Sequence, residues 1–231
     1  MKTVIIVAHG SPSDPDTKQA ALEALAEKIR PLCPEIRVLA ATLAKDDALA
    51  KAVNDCEAPV IYPFFMAEGW FTKREIPRRL KELGCKAQHM DPFGIDPALE
   101  KLILDECLAA AAQAGLDSRA TDLILCAHGS KIARKSKDSA YAMAEKLRRS
   151  GAFWRVRVGL IEEPPFLEDV ARTSNQGVCL PFFALRAGHV DGDIPEALDN
   201  AGFSGPRLPP IGEHPEIPAL IARALKQYCE N

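Results

Sequence analysis

The chain of 231 residues is long enough for one large domain or two small ones, each with a buried core. Hydrophobic residues make up 47% and charged residues 26%, values that are ordinary for a folded globular protein and that exclude a disordered chain. The formal net charge of -3 argues against a protein that binds nucleic acid, because that task needs a concentrated basic surface.

Membrane, export and disulfide signals are not found in the sequence. The chain begins with the strand-like stretch "MKTVIIVA", and no apolar run reaches the length of about 18 residues that a membrane span needs. Seven cysteines form an odd number without a C-x-x-C pair, which indicates neither a disulfide framework nor a structural zinc site. We therefore expect a cytoplasmic protein without a membrane or nucleic-acid partner, and we expect it to act as a monomer.

In the first half of the chain, short apolar runs alternate with helical patterns. The strands are predicted at 3–8, 36–42, 58–65 and 86–90. The helices are predicted near 16–30, 46–54, 73–83 and 96–113. This alternation is typical of an α/β fold with a parallel sheet.

The second half repeats the same alternation. Its strands are predicted near 121–127, 154–161, 176–183 and 205–208, and its helices near 136–150, 164–173, 192–201 and 214–229. Continuous apolar strands such as "DLILCA" favour parallel strands that helices cover on both faces. In such sheets ligands bind beyond the carboxyl ends of the strands.

The two halves are copies of one unit. "VIIVAHGS" at 4–11 matches "LILCAHGS" at 123–130 with an offset of 119 residues, and "YPFFMAEGWFTKREIP" matches "LPFFALRAGHVDGDIP" with an offset of 118. A third match, of "MDPFGIDPAL" with "LPPIGEHPEI", again has the offset 118. We therefore predict two domains, 1–115 and 116–231.

Differences between the copies point to a site in the second one. His9 and His128 each follow a first strand, but His189 of the second copy corresponds to Phe71 of the first. A softer alignment pairs Glu162 with Ala44 and Glu163 with Lys45. The second copy alone then carries His128, Glu162 and His189 at strand ends, a set that suits a divalent metal ion or proton transfer near neutral pH.

Structural roles for these residues remain open at this point. A histidine at the end of a strand can simply bond a neighbouring backbone group, and Glu162 or Glu163 can cap the helix that follows "EEPPF". His89 and His214 lie in loop or helix-start positions without ligand partners at helical spacing.

The combination of "AHGS", "PFFALRAGHVDGDIP" and internal duplication resembles the sirohydrochlorin chelatases of the CbiX type, which are related to the ferrochelatases. The resemblance covers both copies. It implies two tandem chelatase-like (flavodoxin-like) domains, each a parallel four-stranded sheet flanked by helices, with a cleft between them. It also implies insertion of a divalent metal ion into sirohydrochlorin or precorrin-2 in cobalamin biosynthesis, and cobalt(II) is the first candidate for this ion.

The same resemblance implies the roles of single residues. His128 and His189 would hold the incoming metal and accept pyrrole protons, Glu162 or Glu163 would be the nearby acid, and His9 would be a relic or a secondary metal contact. The metal is a substrate, so no permanent cofactor is expected. Insertion of iron(II) for sirohaem or haem, insertion of nickel(II), and a non-catalytic carrier of tetrapyrrole or metal are the alternatives.

A tetrapyrrole with carboxylate side chains needs cations around an apolar floor. The run "KIARKSK" supplies Lys131, Arg134, Lys135 and Lys137, and Arg186 precedes His189. In the first copy, Trp70 and Phe71 could stack on a flat macrocycle or pack in the core.

Other enzyme signatures do not occur in the sequence. It contains neither the G-x-G-x-x-G nor the G-x-x-x-x-G-K-[ST] motif, which weakens nucleotide-binding hypotheses. It also lacks the G-x-S-x-G elbow of the α/β hydrolases.

Overall fold

The computed structural model describes residues 1–54, 56–129, 137–174, 176–186 and 188–230, and for residues 188 and 189 it describes the backbone only. Strands and helices alternate along the chain as predicted. Two parallel sheets form, and helices flank both of them.

The first sheet contains β1 (Lys2–Ala8), β2 (Ile36–Thr42), β3 (Val60–Pro63) and β4 (Gln88–His89). Their order is β2-β1-β3-β4 and every pair is parallel. The helices of this part are α1 (Pro15–Ile29), α2 (Ala48–Asn54) and α3 (Ile76–Glu82), with a π-helical turn at Phe71–Glu75 directly before α3. The four predicted strands are thus confirmed, although β4 is only two residues long.

The second sheet contains β5 (Asp122–Ala127), β6 (Arg155–Leu160) and β7 (Val178–Pro181) in the parallel order β6-β5-β7. Its helices are α5 (Asp138–Arg149), α6 (Leu167–Arg172), α7 (Gly188–Asp191) and α8 (Asp193–Asn200).

The prediction of a fourth strand at 205–208 is wrong. Only a single parallel bridge, between Cys179 and Arg207, occupies the place of that strand. Pro206 and the two prolines that follow Leu208 lack the backbone N–H that a longer ladder requires, which explains why the pairing stops after one bridge.

The chain forms two compact units that differ from the sequence repeats in one element. Unit 1 combines Met1–Gly94 with the last helix, α9 (Ile217–Glu230), which packs on α1. Unit 2 is Ile95–His214 and includes α4 (Pro97–Gln113), which packs near α5 and β7. The final helix of each sequence repeat thus belongs to the compact unit that contains the strands of the other repeat.

The central strand of each sheet is covered on both faces. Val4, Ile5, Ile6 and Val7 in β1 are fully buried, and every residue of β5 is buried. Burial of each such aliphatic side chain contributes about 1.5–3 kcal/mol, so the central strands are anchored and their carboxyl ends are fixed in place. Among the helices that the structure describes, none is long and apolar enough to cross a bilayer.

Candidate functional site

Each central strand ends in a histidine followed by a glycine in the left-handed conformation. Gly10 has φ of 75° and Gly129 has φ of 71°, a region that side chains other than hydrogen disfavour. The turn leaves the side chains of His9 and His128 exposed at the sheet edge, as the sequence predicts.

Both imidazoles are held by the same local hydrogen bond. His9 Nδ1 lies 2.9 Å from Gly10 O, and His128 Nδ1 lies 2.8 Å from Gly129 O. Because a carbonyl oxygen only accepts, Nδ1 is the donor in both cases, and the neutral ring carries its lone pair on Nε2. A bonded Nδ1–H that orients the ring is the usual arrangement of a metal-binding histidine, so the backbone bond suits a ligand role as well as a structural one.

Backbone hydrogen bonds fix the alignment of the next strand between the copies. The N–H of Glu162 donates to His128 O over 2.9 Å, and the N–H of Ala44 donates to His9 O over 2.9 Å. The equivalent bonds place Glu162 opposite Ala44, in agreement with the softer sequence alignment. The second copy therefore has a glutamate bonded through its backbone to the strand-end histidine where the first copy has an alanine.

The two neighbouring glutamates differ in their surroundings. Glu163 accepts a hydrogen bond of 2.7 Å from Lys137, whose pKa this bond raises. Glu162 is half-buried and makes no ion pair with any residue in the described part of the chain. The structure thus separates two carboxylates that the sequence leaves equivalent, and it gives Lys137 a protein partner.

His189 lies in α7, the short helix after β7, and only its backbone is described. The corresponding residue of the first copy, Phe71, begins the π-helical turn after β3. The ring of Phe71 contacts the ring of His9, with centroids 4.4 Å apart and planes at 80°. The first copy therefore brings together the two positions that correspond to His128 and His189.

No group of three or more His, Cys, Asp or Glu side chains able to hold a metal ion is found among the described residues. The side chain of His189, the third member of the predicted set with His128 and Glu162, lies outside the described residues.

The predicted cations are partly outside the described residues. Lys131, Arg134 and Lys135 lie in the segment 130–136, which is not described. Arg186 is described, and its guanidinium donates to Glu213 and to Asp191, each over 2.9 Å. These bonds raise the pKa of Arg186, and binding of a substrate carboxylate would require exchange of one of these partners.

The aromatic residues of the first copy divide between packing and exposure. Phe71 is half-buried against the core, and the centroid of its ring lies 5.9 Å from the ring centroid of Phe65. The ring centroid of Trp70 lies 5.0 Å from that of Phe71, and Trp70 is 57% exposed. Of the two rings predicted to stack on a macrocycle or to pack in the core, Phe71 packs and Trp70 is accessible.

Two grooves occupy equivalent places in the copies but do not include the strand-end histidines. In unit 2, a groove of about 340 Å³ is lined by Pro181, Pro195 and Pro210, and in unit 1 a groove of about 180 Å³ is lined by their counterparts Pro63, Pro77 and Pro92. Their equivalence indicates that the fold itself creates these grooves.

Sequence reasoning missed a pair of glycines that position the loops before the site helices. Gly94 donates its N–H to Phe65 O, and Gly212 donates its N–H to Phe183 O. A Cβ atom would lie 2.1 Å from Met66 O at the first glycine and 1.9 Å from Ala184 O at the second, so no other residue fits. Both glycines lie in the third repeated match, and this shared position was the available signal.

A family model for CbiX matches this chain twice, over residues 3–110 and 122–228. The chain belongs to the CbiX family. The two matches reproduce the two sequence repeats, and they confirm the family resemblance and the α/β chelatase fold. CbiX proteins are chelatases, which are enzymes of metal insertion.

Three relatives show the range of this similarity. The probable sirohydrochlorin cobaltochelatase of Halobacterium salinarum is 25% identical, and the match covers 85% of this chain and 76% of the relative. A solved structure of CbiX, described as the terminal enzyme for biosynthesis of sirohaem in denitrifying bacteria, is 43% identical, covers 98% of this chain and 99% of its own, and has a TM-score of 0.90. The structure of SirB from Bacillus subtilis with Fe³⁺ is 15% identical over 98% of this chain and 95% of its own; its TM-score of 0.77 shows a shared fold.

Proposed function

We propose that this CbiX-family chain inserts a divalent metal ion into sirohydrochlorin, with iron(II) as the first candidate and cobalt(II) as the second. Iron(II) is favoured by the 43% identity to a CbiX of sirohaem biosynthesis over nearly the full length of both chains. Cobalt(II), the metal that the family resemblance implies, is favoured by the 25% identity to a probable cobaltochelatase.

The contact between the rings of His9 and Phe71 carries the proposal for the site. These residues correspond to His128 and His189, and the equivalent backbone bonds of Ala44 and Glu162 support the same local alignment. The same local fold in the second copy would bring two imidazoles together beside the carboxylate of Glu162.

This arrangement meets the chemical needs of metal insertion. Formation of the metal complex removes two pyrrole protons while ring nitrogens replace the water ligands of the metal ion. The Nε2 lone pair of His128 binds the incoming ion, and the second imidazole together with the carboxylate of Glu162 accepts protons within hydrogen-bond reach. Two imidazoles hold a divalent ion less tightly than a closed four-ligand site, which allows its transfer to the macrocycle.

The outer part of the proposed site binds the carboxylates and the flat face of the macrocycle. Lys131, Arg134 and Lys135 follow the histidine turn in sequence and supply positive charge despite the net charge of -3. Arg186 joins them if it exchanges Asp191 or Glu213 for a substrate carboxylate. Precorrin-2, the dihydro form of this macrocycle, is the alternative substrate.

Turnover under anaerobic conditions tests the proposal. The purified protein is mixed with sirohydrochlorin and with iron(II), cobalt(II) or nickel(II) in turn, and the absorbance change is compared with the rate without protein. The proposal expects multiple turnovers, fastest with iron(II), and no turnover with protoporphyrin. A spectral shift that stops at one equivalent of protein would contradict catalysis and favour the carrier.

A further inference from the structure

We propose that the ion pair between Glu163 and Lys137 is a brace that positions the turn bearing His128. This inference rests on the proposed function for its catalytic readout. It assigns Glu163 as a positioning residue and leaves Glu162 as the acid of the site.

Contacts around the turn support this assignment. The Glu163 carboxylate accepts the 2.7 Å hydrogen bond from Lys137, and the side chain of Glu163 is only 16% exposed. A Cβ atom on Gly129 would lie 3.0 Å from Glu163 Cγ and 3.3 Å from its Oε1, so the glutamate arm lies directly against the Gly129 backbone. The preceding residue, Glu162, donates its N–H to His128 O. The turn is therefore held by a main-chain hydrogen bond and by the packed arm of Glu163.

The first copy contains an ion pair between the same two segments with reversed charges, although the side chains nearest to the Cβ position of Gly10 are those of Thr42 and Ala44. Lys45, which corresponds to Glu163, forms an ion pair with Asp16 in the first turn of α1. Lys137 likewise lies at the start of α5, where it is the N-cap residue. Both copies thus join the loop after the second strand to the start of the first helix, although the charges of the partners are exchanged.

The reversed charges are consistent with a cation-binding site beside residue 163. An acid such as Asp16 is favoured at a helix N-terminus, whereas a lysine there opposes the helix dipole. The second copy accepts this cost at Lys137, and the result is a negative rather than a positive charge at residue 163. A lysine at residue 163 would repel an incoming divalent cation from the adjacent Glu162, which explains why the brace has this polarity here.

A charge-exchange experiment tests the brace. Glu163→Gln and Lys137→Met are expected to lower kcat about tenfold each, because small displacements of a reacting group reduce rates strongly. The double variant Glu163→Lys/Lys137→Glu restores the pair with the polarity of the first copy. It is expected to recover kcat to within about threefold of the unmodified protein and to raise KM for the metal ion.

A double variant with kcat as low as that of the single variants overturns the proposal, because the Glu163 carboxylate would then act directly. Unchanged kcat in Glu163→Gln overturns it as well. An unchanged KM for the metal in the double variant overturns the explanation of the polarity. Lys45→Met removes the ion pair with Asp16 in unit 1 and serves as the matched control. Its kcat is expected to stay unchanged.

A measurement without turnover separates this proposal from the proposed function. The imidazole NMR signals of His128, assigned with a His128→Ala variant, are expected to shift in Glu163→Gln and to return in the charge-exchanged double variant. Signals of His128 that do not respond to Glu163→Gln contradict the brace even if the protein inserts metal. If no metal is inserted, the proposed function fails, and the NMR result still decides on the brace.

Discussion

At the carboxyl ends of the strands, the two units share the same backbone turn and backbone hydrogen bonds, but they carry different side chains. In unit 1 the edge carries His9 with Phe71 against it, and Ala44 beside it. In unit 2 the histidine turn and the hydrogen bond to the next strand are repeated, but Glu162 stands in place of the alanine. The sequence places His189 where unit 1 has Phe71, and Gly188 where it has Trp70.

This comparison separates the features that the two copies share from those in which they differ. The glycine turns, the backbone bonds and the close-packed Gly94 and Gly212 are common to both copies, so they serve the fold. The differences lie in side chains of the segments beyond the carboxyl ends of the strands, where α/β proteins bind ligands. Beside the shared histidine, the first copy has Phe71 and Ala44 where the second has His189 and Glu162, and this difference motivates the proposal of a metal site in unit 2.

Removal of each strand-end histidine is the strongest test of the comparison. His128→Ala is expected to lower kcat/KM for metal insertion by at least about 100-fold, because it removes a metal ligand or proton acceptor. His9→Ala makes the same change in unit 1 and is expected to lower kcat/KM by less than about threefold. Both are measured by steady-state absorbance assays. A larger effect of His9→Ala would place the reaction in unit 1.

Transfer of the second-copy residues into unit 1 tests whether side chains alone make the difference. Phe71→His with Ala44→Glu gives His9 a second imidazole and a carboxylate, and the variant is expected to bind one additional equivalent of cobalt(II). Isothermal titration measures the stoichiometry. The control, Phe71→Leu with Ala44→Gln, changes the same positions without adding ligands and should bind no extra metal; an equal gain in both variants would refute the prediction.

The glycine of the histidine turn is expected to matter for stability. Gly129→Ala forces a side chain into the left-handed region and against Glu163, at a cost of about 2 kcal/mol in the free energy of unfolding. Gly151, with φ of 64° and no atom near its Cβ position, is the control for conformational strain alone. Gly151→Ala is expected to cost about 1 kcal/mol. Equal losses in urea denaturation would show that crowding at Gly129 is unimportant.

The smallest expected effect concerns acid stability in unit 1. Hydrogen bonds from Arg78 and Arg79 hold the pKa of Glu75 at about 2, below its ordinary value of 4.5. Because the pKa is lower in the folded state, the charged carboxylate stabilises the fold fully above pH 4.5, and this stabilisation is lost as the pH falls towards 2.

Glu75→Gln is therefore expected to lower the urea midpoint at neutral pH and to have little effect near pH 2. The matched variant Asp193→Asn changes the corresponding residue of unit 2. A midpoint difference between Glu75→Gln and the unmodified protein that stays constant with pH would show that the carboxylate charge is not responsible.

The sequence by itself determined the duplication, the order of strands and helices, and the placement of His9 and His128 at strand ends. The hydrophobic periodicity and the "AHGS" motif are local properties of the sequence. They are sufficient to predict the buried central strands and the turns that follow these strands. The family was also recognisable from the sequence, because "AHGS" and "PFFALRAGHVDGDIP", together with the duplication, resemble the CbiX-type chelatases.

Only the tertiary structure decided which unit each final helix joins, because the apolar faces of α4 and α9 do not specify the surface that covers them. It also separated Glu162 from Glu163, which are adjacent in sequence but differ in their contacts with Gly129 and Lys137. The strand predicted at 205–208 was reduced to one bridge because ladder pairing depends on backbone donors that prolines lack. The helix contacts and the glutamate contacts join residues far apart in the chain, so no local pattern records them, whereas the prolines around 205–208 are visible in the sequence itself.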